Sequence, residues 1–111
     1  MDMAFDESLA ARIRKVLARK REMEEKKMFG GVGFLLNGNL LVGVWKDSLI
    51  VRLEPEESTD ALREPHVKAF DVTGRPMKGW ILVEPQGIED EDQLRGWIEQ
   101  ATMFVKSLPK K

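Results

Sequence analysis

The chain has 111 residues, 42% of them hydrophobic and 33% charged, which gives one core its material and its surface ample solvation. Eighteen basic residues against 19 acidic ones leave a net charge of -1, so the strong basic excess of a dedicated nucleic-acid coat is missing. Cysteine is absent and histidine occurs once, which removes disulfide frameworks, thiolate zinc sites and cysteine nucleophiles together. The N-terminus carries Asp2, Asp6 and Glu7 where a secretory signal would be positive. Apolar runs such as Leu40 to Trp45 fall far short of the roughly 20 residues a membrane helix needs. A cytoplasmic protein without membrane contact is expected.

Phe5, Leu9, Ile13, Val16 and Leu17 share one face at helical spacing, predicting an opening helix with Asp6 as N-cap that ends near Lys20. From Lys26 the period becomes that of strands, and positions 26–36 read as one bent strand with Gly30-Gly31 as a bulge or bend. Asn37-Gly38-Asn39 supplies a hairpin turn, because Asn-Gly tolerates the positive φ a tight reversal demands. Leu40 to Trp45 returns, Lys46-Asp47 turns again, and Ser48 to Leu53 completes a three-strand meander. Pro55 opens a short helix to about Arg63. Ala69 to Val72 and Gly79 to Val83 predict two more strands around the loop Thr73 to Lys78.

Asp90 with Gln93 three residues on has the form of a capping box. The helix it opens carries Leu94, Trp97, Ile98, Ala101, Val105 and Leu108 in one stripe. The order is α-β-β-β-α-β-β-α without repeat or linker. It predicts a single domain over residues 1–111, a two-layer α+β fold with an antiparallel sheet and its helices on one side.

Site chemistry is sparse. Gly30, Gly31 and Gly33 cluster, but a phosphate loop needs a helix after it and here a strand follows, so a structural role is expected. His66 lies beside Pro65 in a loop, and one histidine with scattered carboxylates offers no ligand spacing. Glu56-Glu57 and Glu89 to Asp92 sit at helix starts, where negative charge suits the dipole. No catalytic residue, metal or cofactor is expected. Residues 12–27 hold eight basic and three acidic side chains, while residues 84–99 hold six acidic ones and Arg95. Mutual compensation or solvated faces explain this better than a DNA-tracking surface, so direct nucleic-acid binding is not expected and a weak DNA-binding module stands only as an alternative.

The sheet carries a stronger signal. Phe34, Leu36, Leu41 and Trp45 alternate with Leu35, Leu40, Val42 and Val44, and Trp80 and Leu82 alternate with Ile81 and Val83, so both sheet faces read as apolar. Monomers rarely leave such a face in water, which points to a homodimer seam or a surface for a partner or small ligand. Phe34, Trp45, Arg52 and Trp80 are its candidate residues.

The run Glu25-Lys26-Lys27-Met28-Phe29-Gly30-Gly31-Val32-Gly33-Phe34, continuing through Asn37-Gly38-Asn39 to Val42-Gly43-Val44, resembles the N-terminal domain of the TfoX/Sxy family. So does the later run Phe70 through Trp80, which includes Gly74-Arg75-Pro76-Met77, and Val51-Arg52-Leu53 lies between the two motifs. The resemblance implies a two-layer fold of the type-III secretion chaperone kind. It also implies a role in bacterial regulation of natural competence, in which the best-known members are thought to act with the cyclic-AMP receptor protein at promoters. Those regulators continue into a C-terminal helical domain, whereas this chain ends at Lys111, so a single-domain relative is expected. The family brings no catalytic motif. A non-catalytic interaction module is therefore expected, with a protein of the transcription machinery or a second copy as partner.

Overall fold

The computed structural model describes residues 5–28, 30–70 and 78–110. Its elements are α1 (Glu7–Leu17), β1 (Met23–Met28), β2 (Gly31–Leu36), β3 (Asn39–Trp45), β4 (Ser48–Arg52), α2 (Pro55–Ala61), β5 (Val67–Ala69), β6 (Trp80–Val83) and α3 (Glu91–Val105). One 3-10 turn, Pro85–Gly87, leads into α3. The strands form one sheet in the order β1-β2-β3-β4-β6-β5, with every neighbouring pair antiparallel. The α+β class is as the sequence predicts.

The meander has four strands before α2 rather than three. Positions 26–36 are not one bent strand: Met28 pairs with Gly31, and Gly30 at φ 76 helps the chain reverse between β1 and β2. Gly31 has no room for a side chain, since a Cβ there would overlap the Val44 carbonyl oxygen. The strand missed by periodicity is the edge strand β1, Met-Glu-Glu-Lys-Lys-Met, whose charges discourage further strands from adding to that edge. The other turns follow their residues. Asn37 and Gly38 take φ 54 and 82, both in the left-handed region that a two-residue hairpin uses.

A second irregularity lies between β2 and β3. Phe34 pairs with Val42 and Leu35 with Leu40, so Leu41 is the extra residue of a bulge. Leu41 therefore joins Val42 and Val44 in the core beneath the helices instead of sharing the Trp45 face.

The helices cover one side of the sheet. The Asp6 carboxylate accepts the Ser8 and Leu9 N–H groups at 2.9 and 3.3 Å, and α1 buries Leu9, Ala10, Ile13 and Leu17. It ends at Leu17, with Ala18 as its C-cap. Arg14 grips Glu25 of β1 through two bonds of 2.8 and 2.7 Å. Arg12 reaches Glu91 at 3.0 Å and donates to the Ile88 carbonyl at 2.6 Å, joining α1 to the start of α3. The basic and acidic segments thus compensate one another in part.

In α2 the buried Ser58 hydroxyl donates to the Pro55 carbonyl at 2.7 Å and accepts the Gly79 N–H at 3.1 Å, which fixes the entry to β6. The capping box forms at α3, where the Gln93 side chain accepts the Asp90 N–H at 2.9 Å. Leu94, Ile98, Ala101 and Val105 of α3 are fully buried in one core with Leu41, Val42 and Val44 of β3 and Leu49 and Val51 of β4. The strand expected over Ala69 to Val72 begins earlier, at Val67, and its expected end lies outside the described residues. So does most of the Thr73 to Lys78 loop, including Gly74-Arg75-Pro76-Met77.

Candidate interaction surface

Alternation along β4 and β6 sends Leu49, Val51, Ile81 and Val83 to the helices and leaves Ile50 and Leu82 on the opposite face. There Ile50 and Leu82 pack with Phe70, and Trp45 and Trp80 lean on the same cluster. Among the described residues no helical side chain belongs to this second cluster. Ile50, Phe70 and Leu82 are buried, whereas Trp45 and Trp80 remain partly exposed. The Phe70 and Trp80 rings lie 6.5 Å apart at 45°, a tilted pair that sets the Trp80 indole. At the β3–β4 turn the Lys46 ammonium sits 4.7 Å from the Trp45 ring.

Of the four candidate residues, the structure brings Trp45 and Trp80 onto this face. Arg52 pairs with Trp80 in the ladder, and its guanidinium carbon lies 5.1 Å from the Trp80 ring and 5.9 Å from that of Phe104 on α3. Phe34 stands apart. It is 4% exposed and belongs to the core beneath the helices. The grouping of Phe34 with Trp45 assumed unbroken alternation along β3, and the bulge at Leu41 shifts that parity by one residue. Phe104 went unrecognised as Arg52's second ring, because its spacing marks it only as part of an amphipathic helix.

A separate cleft of about 390 Å³ opens where the α2–β5 connection meets α3, lined among others by Glu64, His66, Asp92, Trp97 and Gln100. His66 is exposed at φ 68, and its carbonyl accepts the Glu84 N–H at 2.8 Å, which holds the end of β6 to β5. Trp97, expected in the core stripe, is only half-buried and lines this cleft. Gly96 beside it has open space where a Cβ would stand. Among the described residues no group of three or more His, Asp or Glu could hold a metal ion. None of their helices is long and apolar enough to cross a membrane.

No curated protein and no solved structure matches the chain, so the secretion-chaperone likeness stays an expectation. The family model that does match is the TfoX N-terminal domain, over residues 15–105, which spans α1 from its last turn through the end of α3. The chain belongs to the TfoX N-terminal domain family.

Proposed function

We propose that this chain is a non-catalytic protein-interaction module of bacterial transcription regulation, and that it binds its partner through the sheet face opposite the helices. The observation that carries this reading is the pair of partly exposed tryptophans, Trp45 and Trp80, seated on the buried Ile50–Phe70–Leu82 cluster. Solvent-facing indoles on a rigid sheet supply apolar contact area at little entropic cost, and tryptophan and arginine dominate the energetic centres of interfaces. Membership of the TfoX N-terminal family supports the regulatory setting.

The test is affinity capture from nuclease-treated lysate of the source cells, comparing the tagged wild-type chain with a Trp45→Ala/Trp80→Ala variant. A component of the transcription machinery should be retained by the wild type and lost by the variant, with the variant's folding verified by circular dichroism. Equal capture by both proteins overturns the assignment of the face. Capture that vanishes on nuclease treatment would show that nucleic acid bridges the two.

A further inference from the structure

We infer that Arg52, at the end of β4 where the Trp80 side of the sheet meets Phe104 of α3, is the anion-binding centre at the margin of this surface, and that the partner presents to it a protein carboxylate beside an apolar or aromatic side chain. The inference deepens the interaction reading above and rests on it.

The argument starts from what Arg52 lacks. Arg12 and Arg14 are both held by carboxylates, Glu91 and Glu25. Among the described residues Arg52 has no ion pair and no hydrogen-bond acceptor, only the Trp80 and Phe104 rings. The nearest carboxylate in sequence, Glu54, accepts the Glu56 N–H at 3.4 Å as the cap of α2. A cation held against rings is engaged through its charge, so the N–H fork that recognises a carboxylate through two parallel bonds remains unused.

Arg52 is nevertheless partly buried. Burial lowers its pKa, the mark of a charge with less water than it prefers, although a guanidinium keeps its proton at any physiological pH. A partly desolvated cation without a counter-charge is unfavourable, and an incoming carboxylate relieves it. The apolar half of the ligand follows from the surroundings, since Trp80 in turn packs against the Phe70 ring and Leu82.

A carboxylate fits better than a nucleic-acid backbone. Phosphate tracking needs several cations in a row, and Arg52 is set among rings instead. Within the basic segment, the exposed Lys15, Arg19, Lys20 and Arg21 belong to the end of α1 and the segment after it, and Lys26 and Lys27 to β1.

The test is a titration of the ¹⁵N-labelled chain by nuclear magnetic resonance, reading the Trp80 indole N–H and the Arg52 Nε–H. The ligands are 3-phenylpropionate, its neutral analogue 3-phenylpropan-1-ol, and a duplex oligonucleotide. Phenylpropionate should shift both signals saturably, with a Kd on the order of a few millimolar, as a fragment of this size allows. The alcohol should bind at least tenfold more weakly. Arg52→Met should lose the carboxylate preference, and Arg52→Lys, which keeps the charge without the fork, should lose most of it.

Equal shifts from acid and alcohol overturn the proposal, as does wild-type affinity in Arg52→Met. A duplex that moves Arg52 while phenylpropionate does not would assign the site to nucleic acid. Shifts that appear on raising protein concentration alone would assign it to a second copy, for which Glu99 with the exposed Met103 four residues on is a matching pair. The two readings fail separately. Undiminished capture by Arg52→Met with loss in the tryptophan variant defeats only the carboxylate inference, whereas the converse pattern defeats the docking face.

Discussion

Asp6 shows how one carboxylate links sequence, helix and pH. The Ser8 hydroxyl donates to it at 2.6 Å, and this bond, reinforced by the Ser8 and Leu9 N–H groups, holds its pKa below the ordinary 3.8. Glu25 is likewise held below 4.5, chiefly by its hydrogen bonds from Arg14. In each case the unfolded carboxyl takes up its proton at a higher pH than the folded one. The stability gained is therefore present above the ordinary pKa and lost as pH falls through the lowered one. Asp6→Ala should cost about 1 kcal/mol at pH 7, the usual worth of an N-cap. The gap from wild type should narrow as pH falls below about 4. Urea unfolding of both proteins across that range checks this, and a gap independent of pH would contradict it. Gly31→Ala should be harsher, about 3 kcal/mol or more in the same assay, because its Cβ meets the backbone of β3 rather than a side chain that can turn away.

At the scale of elements, α3 carries the clearest prediction. Gly96 lies in the helix interior, exposed, with open space around an added methyl group. Gly96→Ala should therefore raise stability by about 0.5–1 kcal/mol through helix propensity alone. Ile98→Ala, two residues on and fully buried, should cost about 2–5 kcal/mol. A loss of stability in Gly96→Ala on thermal unfolding would show that something packs there. The same helix was legible in the sequence because one amphipathic stripe and one capping pair agree on its face and its start. β3 and β4 were legible from their short, β-branched apolar runs and the turn residues that bound them.

β1 was not legible, because an edge strand with charges on both faces has no apolar alternation to read. The Gly30-Gly31 pair fits a bulge as well as a reversal, and only the pairing of Met28 with Gly31 decides. Of the surface, Trp45 and Trp80 could be read from alternation, but Phe34 could not be placed correctly. Nothing in Leu40-Leu41-Val42 marks which leucine is the extra residue, and that one residue decides which ring faces the helices.

For the whole molecule, the helices and the sheet divide the work between them. Arg12 and Arg14 stitch α1 to α3 and β1, and the helix side is thereby closed around the larger core. The other side keeps a smaller cluster whose aromatic outer layer is incompletely buried. The three tryptophans report on this division, Trp45 and Trp80 on the sheet face and Trp97 in the cleft beside α3. The most direct measurement is therefore the indole N–H spectrum of the ¹⁵N-labelled chain as the captured partner is added. The Trp45 and Trp80 signals should shift or broaden while Trp97 holds its position. Movement of Trp97 with Trp45 and Trp80 unchanged would place the partner in the cleft and contradict an interaction surface on the sheet.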